Sequence, residues 1–274
     1  MLQSGVPPFE TLVVDDGSLK PPTDIRERFA KLGVKMVRQS HSGVSVARNH
    51  GIELASGEVL LFLDADCTAR QGCLASLMQI IPTYPEDSTF QLHIVGDRSY
   101  PVGRAEDLHL ATIQRYRVDA EGRILGLDAA GFVIRNQKSW IPNLFDARAV
   151  RSEDTELLAR LLADGKPRPR FLSDAVVEHH PDLSVPKYLV KAFRCGYIDG
   201  PTRMIMETYG VELDPTMSER LDMLKLAWKL SRQSSLGYQA FFVTAVARLL
   251  KKAGHIAYKI ARFRLNFSQR LARL

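Results

Sequence analysis

Apolar residues in this chain follow two alternating rhythms. Short β-prone runs at 11–14, 34–38, 58–63 and 93–96 have strand length. Between them, apolar positions recur every three to four residues, as on one face of a helix. Within 42–55, Val44, Ala47, Gly51, Leu54 and Ala55 share such a face. Thr23 caps an expected helix over 23–32 and Gly33 stops it, while Pro82 ends another over 72–81. Residues 84–91 read as loop, 105–117 as helix and 131–135 as strand. A helix over 153–163 has Ser152 as its cap, an apolar face of Leu157, Leu158, Leu161 and Leu162, and stops at Gly165 and Pro167. A last strand, 171–178, runs into His179 and His180. Strands and helices alternating at this spacing predict an α/β protein, a three-layer sandwich with a mainly parallel sheet between helices.

The run 58–63 stops on Asp64-Ala65-Asp66. In an extended segment, positions i and i+2 face the same side, so both carboxylates can reach one cation at the strand's carboxyl end, where open α/β sheets bind ligands. Oxygen ligands there suit Mg²⁺ or Mn²⁺. A solvated acidic turn is the plain alternative.

Composition divides the chain more than it classifies it. The net charge of +6 comes from the end: residues 223–274 hold eleven Lys or Arg and no acid, leaving 26 basic against 31 acidic residues before them. The main part is therefore mildly acidic, which argues against nucleic acid as a partner. We expect a catalytic unit over 1–212 and a basic helical extension over 213–274. In that extension Val246, Leu249, Ala253, Ile256, Ala257, Ile260 and Phe263 follow Phe242 at helical spacing, with Arg248, Lys251, Lys252, Lys259, Arg262 and Arg264 on other faces. Residues 240–274 thus suit either an anionic membrane surface or packing on the main domain. No stretch reaches the roughly 18 apolar residues of a spanning helix, and the first residues lack the pattern of a signal peptide. Three cysteines without ligand spacing add no disulfide framework. The expected location is cytoplasmic, with peripheral placement on the inner face of the membrane.

Three strings then occur in a telling order: Val13-Val14-Asp15-Asp16-Gly17-Ser18, Phe62-Leu63-Asp64-Ala65-Asp66 and Ser152-Glu153-Asp154-Thr155-Glu156-Leu157. Together with Gly43-Val44-Ser45-Val46-Ala47-Arg48-Asn49, Phe145-Asp146 and Val176-Val177-Glu178-His179, they resemble family 2 glycosyltransferases of the GT-A fold over about residues 8–200. The resemblance implies transfer of a sugar from a nucleotide-diphosphate donor, commonly a UDP-sugar, to an acceptor hydroxyl with inversion. A saccharide or lipid-linked acceptor in polysaccharide, glycolipid or cell-envelope synthesis would follow. It further implies that Asp16 binds the nucleotide base, that Arg48 lies near the base or diphosphate, and that Asp64 and Asp66 hold Mg²⁺ or Mn²⁺. Asp64 and Glu153 would also contact substrate, and Asp154 would be the general base. His179 would complete the metal site or touch the diphosphate, with His180 beside it as the alternative. Asp15 reads as the cap of the Gly17-Ser18 turn.

The helix dipole by itself would lower the pKa of Asp154, so an effective base there requires compensating burial. Relative to the family pattern, a first strand and helix are missing ahead of residue 11, and Gly131 stands where many relatives carry Asn. These departures motivate a second reading, a catalytically impaired relative that binds a nucleotide or partner. A nucleotidyltransferase is a third, which leaves the string at 152–157 unexplained.

Overall fold

The computed structural model describes residues 6, 8–20, 27, 29–136, 143–233 and 236–271. Half of the helix expected over 23–32, residues 23–26 and 28, lies outside them. Among the described residues, strands β1 (Thr11–Asp15) and β2 (Val34–Arg38) form a parallel pair. Helix α1 (Val44–Leu54) packs on β1, with Gly51 against the Val14 side chain. A separate five-stranded sheet has the order β3 (Val59–Leu61), β6 (Phe132–Arg135), β5 (Thr89–Gly96), β7 (Arg170–His179), β4 (Cys67–Ala69).

The sheet is mixed, which corrects the mainly parallel arrangement expected within the α/β class. Only β5 and β7 pair in parallel; β3–β6, β5–β6 and β4–β7 are antiparallel. Tight connections explain the difference. A turn at 64–67 sends β4 back alongside β7, and the chain doubles back through 118–131 before β6, so no crossover helix sets the direction of either strand. Two antiparallel steps from β3 through β6 to β5 restore direction, so β3, β5 and β7 all point one way. Their carboxyl ends meet at one edge.

Alternation along β6 separates the layers. Phe132 and Ile134 pack against Leu157, Leu158 and Leu161 of α4 (Glu153–Ala163), whereas Val133 packs with Cys73 and Leu77 of α2 (Cys73–Ile80). Each of these buried side chains contributes about 1.5–3 kcal/mol. Strand β5 starts at Thr89, four residues before the expected strand. Its polar Gln91 is buried and hydrogen-bonded to the Leu92 and Gly131 carbonyls, so a polar letter masked an interior strand.

Helices α3 (Pro101–Arg117), α5 (Val185–Ile198), α6 (Gly200–Glu207), α7 (Met217–Gln233) and α8 (Gly237–Leu271) complete the molecule. Two of these helices, α5 and α6, precede residue 213, and α7 and α8 follow it. Helices α5 and α8 cross with touching backbones: a Cβ on Gly196 would strike the Lys251 carbonyl, and one on Gly254 the Phe193 carbonyl. Thr244 Oγ1 donates to the Ala105 carbonyl at 2.8 Å, which anchors α8 to α3. The side of α8 carrying Thr244, Ala247 and Gly254 is buried, so the apolar stripe predicted from the sequence faces outward. Phe242, Leu249 and Phe263 are 60%, 68% and 73% exposed.

Candidate active site

Strand β3 ends at Leu61, and Cys67 N donates to the Asp64 carbonyl at 3.0 Å, closing a turn. Asp64 and Asp66 therefore stand on a turn, and the same-side projection expected of an extended segment does not apply. Asp64 Oδ1 accepts from Arg48 Nη2 at 2.8 Å. Asp66 Oδ2 lies 3.2 Å from His179 Nε2, and His179 Nδ1 lies 2.7 Å from Glu106 Oε2 on α3. Burial alone would depress the His179 pKa, but the Glu106 bond and charge and then Asp66 raise it to about 9. His180 turns to the other side, toward Asp97 and Thr68.

Ligand atoms of Asp66, Cys67 and His179 lie within 4.8 Å of one another, a set that leaves out Asp64. Burial, then the charges of Asp66 and Asp64, push the Cys67 thiol far up, so it stays protonated. Of the donors on offer, carboxylate oxygen suits Mg²⁺ or Mn²⁺, while imidazole nitrogen is a ligand more typical of softer divalent ions. Asp128 adds to the local excess of negative charge; burial raises its pKa, and so does Asp64.

Helix α4 supplies the second group. Ser152 has φ +57°, a left-handed conformation costing about 1–2 kcal/mol for an L-residue. Its hydroxyl donates to Asp199 Oδ1 at 3.0 Å, so the capping role expected of this side chain is not the one it performs. Glu153 is buried and bonded to Arg48 Nη1, so one guanidinium joins α1, the Asp64 turn and the start of α4. Phe145 lies under that guanidinium at 5.4 Å and is fixed by both amide atoms of Asn49. Asp154 Oδ1 accepts from Thr155 N at 2.6 Å, and Oδ2 from Ala129 N at 3.3 Å. Burial, then the neighbouring charges of Asp128 and Glu153, raise the Asp154 pKa to about 7. The helix dipole, expected to lower it, is outweighed.

Asp16 stands apart from these residues. Its carboxylate accepts from Gln39 Nε2 at 2.8 Å and from Ser42 N and Gly43 N at 2.9 Å, holding the entry to α1. Asp15 accepts from Ser18 N at 2.9 Å as a turn cap. Gly131 packs against β5, where a Cβ would lie 3.1 Å from Ile94 Cγ1.

A cavity of about 960 Å³ brings together Arg48, Asp64, Asp66, Glu153, Asp154 and His179. It also takes in residues the sequence reading missed: Glu106, Asp128, Tyr188, Lys191, Arg248 and Lys251. Asp128 was findable in principle as the last acidic residue before a predicted strand. Arg248 and Lys251 were read only as part of the basic tail helix, and Glu106, Tyr188 and Lys191 sit on helices as isolated letters with no local motif.

A family model described as Glycosyl transferase family 2 matches residues 2–138. The chain is 30% identical over 177 residues to the pre-mycofactocin glycosyltransferase of Mycobacterium tuberculosis, covering 62% of this chain and 37% of that protein. It is 34% identical over 112 residues to the PGL/p-HBAD biosynthesis glycosyltransferase of Mycobacterium bovis, covering 39% and 44%. These matches span less than half the length of each relative. In fold, the chain is similar to S. aureus TarS 1-349 in complex with UDP, with TM-score 0.50, 16% identity and coverage of 92% of this chain and 82% of that one.

Proposed function

The chain belongs to glycosyl transferase family 2, and on that premise we propose that it transfers a sugar from a nucleotide-diphosphate donor to an acceptor hydroxyl with inversion. The observation that carries this reading is Asp154: a carboxylate with pKa raised to about 7, in the same cavity as the Asp64, Asp66 and His179 cluster. A general base works best with a pKa near the working pH. Asp154 takes the acceptor proton, the hydroxyl oxygen bonds to the anomeric carbon, and the bond from that carbon to the diphosphate oxygen breaks. The nucleoside diphosphate leaves with the electron pair. Asp66 and His179, with Asp64 beside them, would hold a divalent cation. Such a cation would supply neutralisation of charge on the departing diphosphate. His179 gives up its proton to act as a ligand, so binding should release protons. Arg48 keeps Asp64 and Glu153 in place, and Asp16 reaches a nucleotide base only by exchanging some of its present partners.

A UDP-sugar is the donor to test first, because the TarS structure of similar fold holds UDP. Calorimetric titration with UDP should show binding that strengthens with Mn²⁺. Binding of equal strength with Mn²⁺ or chelator would remove the cation from the site. The separation of β1–β2 from the larger sheet favours a second reading, a relative that binds nucleotide or a partner without transfer. Turnover of UDP-sugars separates the two.

The acceptor belongs to cell-envelope or glycolipid synthesis in this proposal, and α8 brings the protein to the membrane surface. The exposed stripe of Phe242, Leu249, Ile260 and Phe263, flanked by Lys252 and Lys259, supports interfacial binding. Among the described residues, no helix is long and apolar enough to cross a membrane.

A further inference from the structure

The cavity has a second wall of opposite charge to the first. His109 comes from α3, Tyr188 and Lys191 from α5, and Arg248 and Lys251 from α8. Residues three apart lie on one side of a helix, so these side chains converge on the same space. Arg248 is half-buried and directs Nε and Nη2 at a single atom, His109 Nδ1, at 3.2 and 3.0 Å. Burial, then the charges of Arg248 and Lys251, bring the His109 pKa down to about 3, so its ring is neutral. It accepts a hydrogen bond without balancing the charge. Lys251 holds Asp199 Oδ2 at 3.0 Å, whereas among the described residues no carboxylate lies within ion-pair distance of Arg248 or Lys191. Burial keeps the Tyr188 phenol protonated and able to donate. A guanidinium withdrawn from water without a counter-charge is unfavourable, and charge-assisted bonds to an anion relieve it.

We infer that the acceptor carries a phosphate group, seated between Arg248 and Lys191 with the Tyr188 hydroxyl, while its reacting hydroxyl extends toward Asp154. Donors arriving from two helices suit a tetrahedral anion with several oxygens better than a planar carboxylate, which one Arg fork grips in a plane. The word acceptor rests on the glycosyl-transfer reading; the anion site itself does not.

The donor diphosphate is the other source of phosphate, and the experiment separates the two. Inorganic phosphate is titrated into the protein alone and into the protein saturated with UDP and Mn²⁺. We expect saturable binding in both, weakened roughly tenfold or more by Arg248→Gln and by Lys191→Gln, the loss expected of one charge-assisted hydrogen bond. UDP affinity should stay within about twofold in both variants, as expected of residues that do not touch the donor. Lys191 is exposed, so its variant folds even where the Arg248 one fails. Unchanged phosphate binding in Lys191→Gln would overturn the site. Phosphate excluded by UDP, or UDP affinity lost in either variant, would assign the site to the donor and overturn the acceptor phosphate. Phosphate binding that depends on Lys191 in a protein that binds no UDP would leave the site standing and remove the transferase reading.

Discussion

Asp154 and Arg48 occupy opposite electrostatic positions in one small volume. A carboxyl near pKa 7 in the fold, against about 3.9 in an unfolded chain, binds its proton more tightly when folded. The stability this contributes is complete below about pH 4 and is lost as pH rises through 7. Asp154→Asn, which stays neutral, should therefore raise the melting temperature at pH 8 in chelator and change it little at pH 4. Equal shifts at the two pH values would contradict the buried, charge-crowded setting. The same variant should lower transfer by about 10²–10⁴-fold while still binding UDP. Arg48 is the counter-charge for two carboxylates and is only 12% exposed in its side chain. Arg48→Met should destabilise by about 3–5 kcal/mol, the cost of breaking a buried pair from one side. Denaturant unfolding would show it, and a loss under about 1 kcal/mol would mean the guanidinium is dispensable.

Among the elements, helix α4 coincides with the expected 153–163, because a full apolar face and two stops specify it locally. Strand β5 and the short β4 were partly or wholly missed. Gln91 breaks the apolar pattern of β5, and three residues are too few for β4 to carry one. Helix α8 had its stripe read correctly and its orientation left open between membrane and domain. The structure shows the packing on the domain, made by small residues on the other side of the helix, and leaves the stripe exposed. Gly254→Ala tests that crossing: the added methyl meets the Phe193 carbonyl and must push α8 from α5. Lowered stability and weakened phosphate binding should appear together, because the same crossing positions Arg248. A variant with unaltered melting and unaltered phosphate affinity would show that the helices have slack.

For the whole molecule, the arrangement places a cavity between the sheet's carboxyl edge and α8, with the apolar stripe of α8 directed outward. Deleting residues 240–274 would remove a cavity wall along with the surface, so single substitutions give the cleaner test. Leu249→Glu and Ile260→Glu should each reduce flotation with anionic vesicles, and raised salt should reduce wild-type flotation as well. Recovery of both variants at wild-type levels would leave the stripe without a membrane role.

The sequence by itself determined the α/β class and the family, and it named some of the residues that line the cavity. Those properties are written in short local strings and in apolar periodicity, which neighbours along the chain are enough to express. It also marked Asp64, Asp66, Asp154 and His179 as one group, through the order of motifs. Only the tertiary structure decided strand directions, which of two adjacent histidines faces Asp66, and whether Asp154 sits above or below its ordinary pKa. The cationic wall of Lys191 and Arg248 belongs there too. Each of these depends on residues far apart in the chain meeting where water is scarce, and no local pattern encodes such a meeting.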